Sequence, residues 1–65
     1  DIQDNGSMIV IHTSPGSASL VARQLDLMKR QGIMGTLAGD DTVFVAPSSS
    51  RKIKQLLKLI QEEFS

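Results

Sequence analysis

Asp40 and Asp41 stand side by side after Gly39, between two short apolar runs, Ile33 to Leu37 and Thr42 to Val45. The runs are β-branched or bulky and the Gly39-Asp40-Asp41 step tolerates turn dihedrals, which predicts a β-hairpin with an acidic tip. Neighbouring carboxylates repel each other, so a cation held against the tip would stabilise it. Guanidinium, ammonium and a hard metal ion would all serve. The alternative is an ordinary solvated turn, because an Asp side chain bonds readily to the backbone two residues on.

A second group of polar side chains lies upstream. Ser19, Arg23, Asp26 and Arg30 recur at i, i+4, i+7 and i+11, which gathers them on one stripe of a helix. Either this is a solvated face carrying Arg23/Asp26 and Asp26/Arg30 pairs, each worth roughly 0.2 to 0.5 kcal/mol, or it is a polar wall facing a ligand. On the second reading the Arg23 guanidinium could occupy the Asp40 carboxylate until a free guanidinium displaces it. His12 has no second His or Cys to complete a metal site and reads as a structural residue. No Gly-x-Ser-x-Gly elbow supports a hydrolase, and the lone Gly16 is too little for a phosphate loop. Gly-Asp-Asp also occurs in the magnesium-binding hairpin of some polymerases, but 65 residues cannot hold that active site. With no credible nucleophile or acid-base pair, the chain does not read as an enzyme.

Composition narrows the choice further. A chain of 65 residues makes one small domain that buries only about 60% of its unfolded surface. No cysteine or Cys/His cluster reinforces it, so self-association is the expected support. Seven basic and seven acidic residues cancel, and two phenylalanines are the only aromatics, which argues against a nucleic-acid surface in this segment. Lys52, Lys54 and Lys58 then read as a solvated face. Without a membrane-length apolar run, a signal-like start or any cysteine, the expectation is a soluble cytoplasmic chain with no membrane contact.

The positioning elements follow from periodicity. Asn5-Gly6 before Met8-Ile9-Val10-Ile11 signals a hairpin with only Asp1 to Asp4 ahead of it, so the chain is expected to begin inside a strand of something longer. Met8 to Thr13 is predicted as a central strand, apolar on both faces through its middle. Ser14 as N-cap and Pro15 at the first helical position predict a helix from Pro15 to Arg30, with Ala18, Val21, Ala22, Leu25 and Met28 on its buried stripe and Gly32 ending it. After Pro47, Ser48-Ser49-Ser50 offers caps for a last helix through about Phe64, buried along Ile53, Leu56, Leu57, Ile60 and Phe64. The predicted fold class is α+β: a two-layer (β)βαββα sandwich whose small, mainly antiparallel sheet is covered on one face by two helices. The uncovered face again predicts an oligomer.

His12-Thr13-Ser14-Pro15-Gly16 followed by Gly35-Thr36-Leu37-Ala38-Gly39-Asp40-Asp41-Thr42 closely resembles the C-terminal domain of bacterial arginine repressors, over about Met8 to Ile60. The resemblance implies that residues 1–65 are an arginine-binding and oligomerisation domain that trimerises, two trimers stacking into a hexamer with L-arginine between them as corepressor. It also implies an upstream winged-helix domain, outside this chain, that contacts operator DNA. Carried onto this sequence, the site uses Asp40 against the ligand guanidinium, largely from the opposing trimer, with Asp41 beside it. Thr36 and Ala38 contribute mainly backbone contacts, and Asp26 and Ser19 face the amino-acid end. Ser19 departs from the longer polar side chain frequent in the family. No cofactor or metal is implied. The alternative function is an amino-acid-sensing domain of a biosynthetic enzyme.

Overall fold

Val43 and Val45 are fully buried while Phe44 between them is 44% exposed, so the fourth strand has one face in the core and one facing outward. That alternation is the period-two signature of a half-covered sheet. The computed structural model describes residues 1–28 and 32–64. Its elements run β1 (Ile2–Asp4), β2 (Ile9–His12), α1 (Ala18–Asp26), β3 (Ile33–Ala38), β4 (Thr42–Pro47) and α2 (Ile53–Glu63), with a 3-10 turn over Ser50–Lys52 leading into α2. All pairings are antiparallel in the order β1-β2-β4-β3, which places β2 and β4 at the centre. The predicted α+β order and layering are those observed.

One core fills the space between sheet and helices. Ile9 and Ile11 from β2 meet Ala18, Ala22 and Leu25 from α1 and Ile53, Leu56 and Ile60 from α2. Both helical stripes are the expected ones, with Val21 and Leu57 half-buried, except at Phe64. Phe64 is 37% exposed, not buried: it caps α2 with φ −108 and ψ 13, outside the helical geometry that would continue the stripe. The N-cap of α2 is Lys52 and not one of the three serines, because the 3-10 turn intervenes; Ser49 is the N-cap of that turn, without a side-chain hydrogen bond.

The first helix also differs from expectation. It begins at Ala18 behind an N-cap at Ser17, not at Pro15 behind Ser14. Gly16 has φ +83, a left-handed value that no helix accommodates, and its N–H is committed elsewhere, as described below. At the other end α1 stops at Asp26, where the N–H groups of Leu27 and Met28 donate to Gln24 and Leu25 carbonyls. The expected last turn through Lys29 and Arg30 lies outside the described residues.

The β1–β2 hairpin closes through a four-residue loop in which Asn5 N donates to Met8 O at 3.1 Å. It is tied to α2 across the length of the chain. Lys54 Nζ donates to Asp4 Oδ1 at 2.9 Å, and Gly6 N to Asp4 Oδ2 at 3.0 Å, so Lys54 has a partner that the solvated-face reading did not supply. Lys54's hydrogen bond foremost, with help from Gly6 N–H and the ammonium charge, holds the Asp4 carboxyl below its ordinary value of 3.8 against the opposing cost of desolvation. A carboxyl lowered on folding contributes stability that is complete above 3.8 and is lost as pH falls through the folded value. Asp4→Asn should therefore flatten the acid limb of stability below the ordinary carboxyl value of 3.8. Thermal melts of both proteins across that range check this; parallel limbs would contradict it.

Candidate functional site

The tip of the β3–β4 hairpin is held by its backbone, which leaves its side chains outward. Gly39 N donates to Thr42 O at 2.7 Å and closes the turn. The segment after β2 then grips the same turn from the side: Thr13 N donates to Asp41 O at 2.7 Å and Gly16 N to Asp40 O at 2.9 Å. These two bonds join the His12–Gly16 and Gly39–Thr42 motifs into one structure. They also hold Gly16 in place, and its left-handed φ of +83 is what delays α1 until Ala18.

Both tip carboxylates are exposed, yet they differ. Asp41 Oδ1 accepts the Thr42 hydroxyl at 2.9 Å. Among the described residues, Asp40 has no side-chain hydrogen bond or ion pair. Its charge is thus available to an incoming donor, and the fixed backbone beneath it means little ordering remains to be done on binding.

The polar stripe of α1 runs toward this tip. Gly16, just before α1, touches the turn, whereas Asp26 at the far end accepts the Thr36 hydroxyl on Oδ1 at 3.1 Å. The helix therefore lies antiparallel to β3, with Ser19 toward the tip and Asp26 toward Thr36. Register places Thr36 opposite Val45 and Ala38 opposite Val43, so both lie on the helix-facing side of β3. The structure brings Asp26 and Thr36 into contact, and β3 leads through Ala38 into the turn that carries Asp40 and Asp41. Ser19 is exposed on the same stripe and makes no side-chain hydrogen bond among the described residues.

The Arg23/Asp26 pair expected for a solvated face is not formed, since Asp26 is bonded to Thr36 instead. Nor does Arg23 pair with Asp40 within the chain. Arg30 lies outside the described residues. His12 matches its structural reading, with Nδ1 3.1 Å from Asp1 Oδ2. Among the described residues no group of three His, Cys, Asp or Glu side chains could hold a metal, and no helix is long and apolar enough to cross a membrane. Sequence reasoning missed the gripping role of Thr13 and Gly16; the signal was Gly16 itself, a glycine placed where a helix interior would not favour one.

On the opposite face of the sheet, Leu37 pairs across the strands with Phe44, which in turn pairs with Val10. Leu37 is 69% exposed and Phe44 44%, and Met8 and Met34 add further exposed apolar surface. A continuous apolar sheet face is a contact surface in the ordinary run of small domains.

A family described as "Arginine repressor, C-terminal domain" matches residues 1–62 of this chain. The arginine repressor of Colwellia psychrerythraea is 52% identical over 66 residues, covering all of this chain and 42% of that protein. For the arginine repressor of Aeromonas hydrophila subsp. hydrophila the values are 56% over 57 residues, 86% of this chain and 36% of the relative. That of Shewanella pealeana is 50% identical over 66 residues, covering 100% and 42%. The chain spans less than half the length of these relatives.

Proposed function

The chain belongs to the arginine repressor C-terminal domain family, and from that premise we propose that it is the corepressor-binding and oligomerisation module of an arginine-dependent transcriptional repressor of arginine metabolism genes. The observation that carries this reading is the exposed Asp40 carboxylate, fixed at its backbone by Gly16 N–H and without a side-chain partner among the described residues. A guanidinium is planar, always charged and able to meet a carboxylate with two parallel hydrogen bonds.

In the proposed assembly three copies pack through their open sheet faces and two trimers stack. L-arginine lies between the trimers, its guanidinium on Asp40 of the opposing trimer with Asp41 adjacent. Thr36 and Ala38 offer backbone groups, while Asp26 and Ser19 face the amino-acid end. The Thr36 hydroxyl on Asp26 Oδ1 fixes that carboxylate while leaving Oδ2 for the ligand ammonium. Ligand binding to one assembly state stabilises that state, and the closed hexamer then arranges upstream winged-helix domains on operator DNA. Cytoplasmic location follows from that role. Family membership favours this over an amino-acid-sensing domain of a biosynthetic enzyme.

Thermal shifts with arginine, citrulline, lysine and magnesium test the ligand class. Arginine at 100-fold its dissociation constant should stabilise by about 2.7 kcal/mol. Citrulline, which keeps the shape and loses the charge, should give little or no shift. A citrulline shift equal to that of arginine would exclude a guanidinium-reading carboxylate.

A further inference from the structure

Asn5-Gly6 takes no part in the arginine site, and Asn5 is the chain's only asparagine. Asn-Gly is the dipeptide most open to intramolecular attack, because glycine has no side chain to hinder approach of its own nitrogen to the asparagine Cγ. The reaction is fully balanced by water. Gly6 N loses its proton to hydroxide and bonds to Asn5 Cγ; the Cγ–Nδ2 bond breaks and ammonia leaves. Water then opens the five-membered imide at either carbonyl, giving Asp or its β-linked isomer at position 5.

In the folded turn both reacting groups are held. Gly6 N donates to Asp4 Oδ2 at 3.0 Å, and a proton shared with a carboxylate is harder to remove. Asn5 Oδ1 accepts from Ser7 N and Met8 N, both at 2.9 Å, so swinging Cγ onto Gly6 N breaks two further bonds. Asp4 is itself fixed, its side chain 6% exposed and its other oxygen held by Lys54 of α2 at 2.9 Å. A chain of contacts therefore runs from α2 through Lys54 and Asp4 to the nucleophilic nitrogen.

The geometry points to Asn5 as a gated deamidation site, whose lifetime is set by the Lys54–Asp4 pair acting on Gly6 N–H. Deamidation proceeds through the fraction of molecules in which the turn is open, and charged hydrogen bonds keep that fraction small. The product changes the hairpin. Asp at position 5 adds a negative charge beside Asp4, and the β-linked isomer inserts a backbone atom into a four-residue loop closed by Asn5 N on Met8 O. Either loosens β1 on the edge of the sheet.

The test incubates the chain at mildly alkaline pH and follows Asn5 by peptide mass spectrometry, with a digest that separates Asp from its β-linked isomer. The native chain should deamidate at least roughly tenfold more slowly than the same chain in denaturant, and Lys54→Met and Asp4→Ala should each raise the native rate about three- to tenfold. Ile60→Val, a mild truncation of the core, separates local from global opening. If it leaves the Asn5 rate unchanged while Lys54→Met raises it, with both variants folded by circular dichroism, the gate is local as inferred. A native rate equal to the denatured rate, or the same acceleration in Ile60→Val as in Lys54→Met, would overturn the inference. Should Asp4→Ala fail to fold, Lys54→Met alone decides, since its exposed side chain does not support the core.

Discussion

Asp40→Asn is expected to abolish the arginine response while leaving the fold intact. The substitution removes the charge and keeps the shape, and among the described residues Asp40 contributes to the fold through its backbone carbonyl, which accepts Gly16 N–H regardless of the side chain. A guanidinium buried between trimers would then face an amide. Removing one partner of a buried, hydrogen-bonded charge pair costs about 2 to 5 kcal/mol, roughly thirty-fold to several thousand-fold in Kd. Asp41→Asn should cost less, because the Thr42 hydroxyl already occupies one of its oxygens and an amide oxygen can accept the same bond. Calorimetric titration with arginine, beside sedimentation with and without ligand, measures both terms. A wild-type arginine affinity in Asp40→Asn would remove the carboxylate from the site.

That the acidic tip could be found from sequence reflects how local its determinants are. Gly39-Asp40-Asp41 between two β-forming runs specifies a turn with no distant help. The same holds for the core: Val43 and Val45 against Phe44, or Ala18, Ala22 and Leu25 along a helix, follow from the period of the element they sit in. What was not legible depends on residues far apart in the chain. Ser14 and Pro15 have helix-start chemistry, but Gly16 takes a left-handed φ of +83 where its N–H meets the Asp40 carbonyl, and the helix waits until Ala18. Arg23 and Asp26 have ion-pair spacing, yet packing delivers the Thr36 hydroxyl to Asp26 instead. The Lys54–Asp4 contact joins residues near opposite ends of the sequence. Each case is a tertiary partner overriding a local preference, and two of the three fall at the proposed site, where function selects contacts that propensity does not.

Phe44→Asp should convert the proposed assembly into folded monomers. Phe44 lies on the outer face of β4 between Leu37 on one neighbouring strand and Val10 on the other, while Val43 and Val45 beside it carry the core. The change therefore leaves the interior alone. Removing a large apolar side chain from water contributes about 1.5 to 3 kcal/mol, and a carboxylate in its place costs more unless a partner is found. Symmetry multiplies the effect, because every copy carries the same lesion into each contact. Sedimentation velocity should show a monomer with unchanged far-ultraviolet circular dichroism, where the parent chain is expected to sediment as the proposed trimer or hexamer. Its arginine shift should vanish as well, since in the proposed assembly Asp40 reaches the ligand from a facing trimer that would no longer form. A variant that still trimerises would place the subunit contact elsewhere than on the open sheet face. One that becomes monomeric yet binds arginine with full affinity would show that a single chain supplies the whole site, and would separate ligand recognition from assembly.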